Sequence, residues 1–146
     1  MGSLFDVTRD PAKRKAVVDD CCALIDAEVS DKGGLTGIAI KTAFATVKGV
    51  KPGMIPMSMD ALLDDFSKQL DPFWAECQKG TEPPRAFFTR KKEAVANALL
   101  TITDDRARKS SHTVLVKAYQ GLRGKAVDHI GAAMPRFADL LVKHAK

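Results

Sequence analysis

The sequence predicts an all-α protein, a compact multi-helix bundle forming a single helical domain over residues 1–146, and three observations carry that prediction. Apolar residues recur at three- and four-residue spacings through most of the chain. Asp-Pro pairs and glycines punctuate those stretches where helices start and stop. No stretch alternates apolar and polar residues as a half-buried strand would. With 45% hydrophobic and 28% charged residues, 146 residues have ordinary globular proportions and suffice for one self-sufficient core.

Asp10-Pro11 reads as an N-cap followed by proline at the first helical position, where a missing N–H costs nothing. Val18, Cys22, Ile25 and Val29 then share one helical face, and Gly33-Gly34 stops the run. Leu35 to Lys48 has Lys41 and the terminal Lys48 as its only charges, and a helix apolar nearly all round is predicted to be buried. Gly49 and Lys51-Pro52-Gly53 end it. Ile55, Met59, Leu62 and Phe66 mark the next face, with Asp60, Asp64, Asp65 and Lys68 behind. Asp71-Pro72 repeats the start signal and predicts a separate short helix, PFWAECQKG, holding the only Trp. Gly80 to Pro84 reads as a link, because Pro83-Pro84 forbids helix across it. Phe88, Val95, Leu99 and Ile102 form one further face, ending near DDRARKSS. Ser110 or Ser111 is placed to cap a helix of Val114, Leu115, Val116, Tyr119 and Leu122, with Lys117 its single interior charge. Val127, Ile130, Met134, Phe137 and Leu141 continue through Pro135, which should kink the last helix or divide it in two.

AFATVKG at 43–49 and AYQGLRG at 118–124 are nearly one phrase written twice. Residues 11–70 laid over 85–146 keep a nearly constant offset: Ile40-Lys41 meets Val116-Lys117, and Leu62-Leu63 meets Leu140-Leu141. The order of helix types repeats as well. The prediction is two pseudo-symmetric three-helix units joined by the short Trp helix, with the Leu35–Lys48 helix and the helix of Val114 to Leu122 as a paired, water-excluded centre.

The net charge of +5 is uneven. Residues 1–84 carry 10 Lys+Arg against 13 Asp+Glu, a balance of −3, while residues 85–146 carry 13 against 5, a balance of +8. Such halves can attract each other, a second copy in a homo-oligomer, or, through the basic half, an acidic protein partner. Arg85, Arg90, Lys91, Lys92, Arg106, Arg108 and Lys109 form the one basic concentration, and with Phe87 and Phe88 nearby they define an alternative reading as a nucleic-acid-associated protein. Lys41 and Lys117 sit at equivalent places in the two halves, and each ammonium must reach water, an acid or a bound anion. Joined by Lys48 and Arg123, they define a candidate site between the halves for an apolar anion such as a fatty or aromatic acid.

Catalytic patterns are missing from the sequence. His112, His129 and His144 form neither HExxH nor ExxH, Cys77 has no CxxC partner, and GGLTG and GLRGK lack the context of a phosphate loop. Cys21-Cys22 falls within a helical core pattern, and the Met54, Met57 and Met59 group reads as core filling. The acid pairs 19–20, 64–65 and 104–105 read as solvated faces. The function remains unknown at this level; a non-enzymatic binding or interaction domain without cofactor or metal is expected. Three cysteines, an odd number, and a start without an apolar leader point to a reducing cytoplasm. No uncharged run approaches the roughly 20 residues of a membrane span.

The phrases DPAKR, VKGVKPG and LDP, in their order along the chain, resemble a family of small all-helical bacterial proteins catalogued as a domain of unknown function. The likeness runs from residue 3 to about residue 146 and is looser after residue 85. It implies an autonomous bacterial domain and carries over no activity, cofactor or site residue.

Overall fold

The structure is a computed structural model in which residues 4–50 and 53–145 are described. Lys51 and Pro52, predicted to end the second helix, lie outside the described residues. Leu4–Arg9 form a short helix, α1, ahead of the first start signal. At that signal the Asp10 carboxylate accepts the Ala12 N–H at 3.0 Å, and α2 runs over Pro11–Asp31. Gly34, at φ +65°, turns the chain into α3, Gly34–Val50. The approach is close: a Cβ on Gly37 would lie 2.5 Å from the Lys32 carbonyl oxygen.

Gly53, at φ +76°, opens α4, Met54–Lys79. This helix corrects the predicted separate Trp helix, since it runs unbroken through Pro72. Asp71 does not cap its own segment; its carboxylate reaches across to accept the Leu4 N–H of α1 at 2.6 Å. Burial of the segment beyond it, with Trp74 and Cys77 in the core, outweighs the roughly 3 kcal/mol that an interior proline costs a helix. Residues 80–83 link the halves; Pro84, predicted to belong to the link, instead opens α5, Pro84–Arg90, and α6, Lys92–Lys109, follows. The face read as one helix breaks at Lys91, which carries no glycine or proline signal. α7 covers Thr113–Arg123 with His112 at its start; Ser110 instead accepts the His112 N–H. Pro135 divides the last segment into α8, Ala126–Ala132, and α9, Met134–His144. All nine elements among the described residues are helical, so the protein is an all-α bundle.

The solid core lies where α1, the second half of α4, α5, α6 and α9 meet. Phe88, fully buried, has Trp74, Phe87 and Phe137 ring centroids at 6.5, 5.2 and 5.7 Å. Val95, Met134 and Ala138 complete it. A smaller cluster, Val17, Val18 and Leu63, joins α2 to α4, reinforced by Arg14, whose guanidinium donates to Asp60 and Asp64 at 2.7 Å each.

The predicted buried centre is overturned. α3 and α7 do pack against each other, but at the edge of the bundle. α7 contains no buried residue, α3 buries only Gly37 and Ile40, and Leu35 and Ile38 stand 86% and 63% exposed. The physical reason is how the side chains are divided: these helices are rich in Ala, Gly, Thr and Val, and of their large residues Ile40, Phe44, Tyr119 and Leu122 turn inward while Leu35 and Ile38 turn out to solvent. The pseudo-symmetry of the halves is not confirmed: α2 to α4 are three continuous helices, whereas the second half is cut into five.

Candidate functional site

Beneath the α3–α7 pair lies a cavity of about 440 Å³. Apolar stripes from most of the bundle converge on it, among them Leu24 and Ile25 of α2, Phe44 of α3, Phe66 of α4, Tyr119 of α7 and Phe137 of α9. Most of these side chains are half-buried. Their stripes turn inward as the periodicity requires, yet they meet space where the aromatic end of the bundle has atoms.

Most of the polar groups on the wall are engaged within the protein. The Ser67 hydroxyl donates to the Leu63 carbonyl at 2.8 Å and that of Thr8 to Phe5 at 3.0 Å. Glu28 accepts from Arg136 at 2.5 Å, and His144 Nε2 lies 2.6 Å from Asp20, which Lys143 also contacts at 2.8 Å. The Lys143 and His144 bonds hold the Asp20 carboxyl below its ordinary range. Burial, with smaller contributions from Cys22 and Asp20, pushes the Cys21 thiol up to about 12, so it faces the cavity protonated and unreactive. Burial also lowers His129, helped by the nearby Lys32 charge. The wall is thus apolar with few open hydrogen-bonding demands, which suits an apolar molecule.

α7 is fastened to α6 by one polar group of side chains. The Tyr119 hydroxyl donates a short hydrogen bond to Asp104 and lies 2.7 Å from the Thr103 hydroxyl. Arg123 makes a paired contact to the same carboxylate at 2.9 and 3.1 Å. Asp104 is held low, first by Arg123 and then by Tyr119; Tyr119 is pushed up, first by burial and then by Asp104. Sequence reasoning missed this fastening by reading Asp104 as solvated. The available signal was a Tyr and an Arg four residues apart on a helix without an acid.

Of the candidate anion-site residues, Lys41 and Lys117 are exposed, Lys48 lies 3.4 Å from Asp26, and Arg123 is bound to Asp104. None of the four lines the cavity, although their neighbours Ile40, Phe44, Tyr119 and Leu122 do. The basic concentration is largely paired: Arg85 with Asp139, Arg90 with Glu82, Lys91 with Glu76, Arg106 with Asp65, and Arg108 and Lys109 with Asp105. The Lys92 stem lies over Gly131. Among the described residues, no three His, Cys, Asp or Glu side chains gather as a metal site, and no helix is long and apolar enough to cross a membrane.

No curated protein and no solved structure matches the chain. Over residues 4–145, which is nearly its whole length, the sequence matches the model of the Family of unknown function (DUF6918), and the chain, an all-α bundle hollow on one side, belongs to that family.

Proposed function

We propose that the protein is a non-enzymatic binding protein that holds an apolar small molecule in the cavity between α2, α3, α4, α7 and α9. The observation that carries this reading is an apolar space of about 440 Å³, within the range of small-molecule sites, whose wall polar groups are mostly satisfied from inside the fold. Apolar cavities exclude water and accept hydrophobic guests. The intrachain pairing of Arg85, Arg90, Lys91, Arg106, Arg108 and Lys109 favours the cavity over a nucleic-acid face. The free thiols Cys21, Cys22 and Cys77 support a reducing, cytoplasmic setting, and the family likeness a bacterial one.

The test is titration of the full chain with 1-aminoanthracene, a neutral probe that brightens in apolar surroundings, followed by displacement with fatty acids of increasing length. Saturable binding at one probe per chain is expected, weakened about tenfold or more in Ile25→Trp, which fills the space. No saturable binding by the wild-type chain, or equal binding by the filled variant, overturns the reading.

A further inference from the structure

The α3–α7 pair has two unlike faces. Its underside, with Ile40, Phe44, Tyr119 and Leu122, roofs the cavity. On the outer side Leu35, Ile38 and Val114 stand 86%, 63% and 50% exposed, and four of the five most exposed large hydrophobics among the described residues belong to these two helices. Neither helix contains an Asp or Glu, whereas together they carry Lys41, Lys48, Lys117 and Arg123. Lys41 and Lys117 are exposed. The layer is also lightly held: α7 buries nothing and is fastened through Asp104, while α3 is flanked by Gly34 and Gly53 in left-handed conformations.

We propose that this layer is a lid whose outer face docks on an anionic lipid bilayer, placing the roof of the cavity against the membrane so that an apolar guest passes between the two. The lid's role in exchange rests on the binding reading above; the docking itself does not. Apolar tips among lysines, without acids, are what an interfacial surface needs: the tips enter the acyl boundary while the cations meet lipid phosphates. A second copy of the chain is disfavoured as the occupant, because a self-paired interface would set Lys41 and Lys117 against like charges with no acid to meet them. Nucleic acid would reward the cations but leave Leu35 and Ile38 without an apolar partner.

The experiment is co-sedimentation of the full chain with vesicles of phosphatidylcholine alone and of phosphatidylcholine mixed with phosphatidylglycerol. Binding to the mixed vesicles is expected, reduced about tenfold or more in Leu35→Glu/Ile38→Glu and in Lys41→Glu/Lys117→Glu. Equal behaviour with both lipids, or variants that bind as the wild type does, overturns the proposal. So does a concentration-dependent dimer in sedimentation velocity that Leu35→Glu/Ile38→Glu abolishes while vesicle binding is nil. These substitutions lie on exposed positions, and 1-aminoanthracene binding without vesicles should be unchanged in all of them. Vesicle binding by a chain that takes up no probe leaves docking standing and removes the guest; probe uptake without vesicle binding does the reverse.

Discussion

The two ends of the bundle use the same class of residue to opposite effect. At the α5–α9 end, Trp74, Phe87, Phe88 and Phe137 close on one another and leave Phe88 without exposed surface. At the α3–α7 end, Leu24, Ile25, Phe44 and Tyr119 aim inward just as consistently, yet surround space. Apolar periodicity decides which way a side chain points. Summed volume decides whether the interior is solid, and α3 and α7, built of small residues around a few large ones, supply too little.

The comparison breaks most visibly under truncation. Phe88→Ala should cost about 3–5 kcal/mol in urea unfolding, whereas Phe44→Ala, which enlarges an existing space, should cost less than half as much. Equal losses would mean that the α3–α7 end is as tightly packed as the other. Next in size is Gly37→Ala, whose added methyl would meet the Lys32 carbonyl oxygen at 2.5 Å; α3 must shift, at about 1–3 kcal/mol, with faster amide exchange over 34–50 as the local readout. A thermal midpoint at the wild-type value would show that the turn before α3 yields freely.

A smaller effect sharpens the contrast in mobility. Asp104→Asn removes the carboxylate that fastens Tyr119 and Arg123, and amide exchange over 113–123 should rise while residues of the aromatic core stay protected. The pH dependence follows the sign of the shift. Asp104 and Asp20 titrate lower when folded than when unfolded, so their stabilisation is complete above the ordinary carboxylate value and fades as pH falls through the lower native one. Acidification below about pH 4 should therefore loosen α7 in the wild type, and less so in Asp104→Asn. Smallest is the response of Cys21: alkylation at neutral pH should be slow because its thiol stays protonated, and slower still with 1-aminoanthracene bound. Fast labelling unaffected by the probe would place Cys21 outside the cavity wall.

Local signals were legible in the sequence wherever the structure uses them locally. Asp10 caps the helix that starts beside it, the prolines at 83 and 84 mark the link, and Pro135 separates α8 from α9. Asp71-Pro72 carries the same signal as Asp10-Pro11 and misleads, because the Asp71 carboxylate is taken by the backbone of α1, 67 residues away. No window of neighbouring residues contains that information. The break at Lys91 is likewise imposed by packing, with Phe87 and Phe88 buried on one side and Val95 and Ala96 on the other.

The candidate site was half legible. The twice-written phrase marks two helices that pack against each other, and its aromatic positions, Phe44 and Tyr119, both line the cavity. Its charged positions were the wrong place to look for the wall: Lys48 and Arg123 turn to Asp26 and Asp104. High mean hydropathy over 35–48 and a lone interior charge between Val114 and Leu122 predict burial, but neither weighs side-chain size or reveals that the two helices form a thin roof. The convergence of Leu24, Ile25 and Phe66 beneath it depends on three helices from different parts of the chain.

The uneven charge of the chain has its counterpart in how the halves are joined. Among the described residues, ion pairs between 1–84 and 85–146 all match an acid of the former with a cation of the latter: Glu28 and Asp31 with Arg136, Asp20 with Lys143 and His144, Asp65 with Arg106, Glu76 with Lys91, and Glu82 with Arg90. Such one-way polarity makes the molecule self-recognising. Cleaved in the exposed link at 80–83, the two fragments would find each other in the correct orientation, and added salt would slow their reunion by screening the long-range attraction without touching the aromatic contacts that complete it.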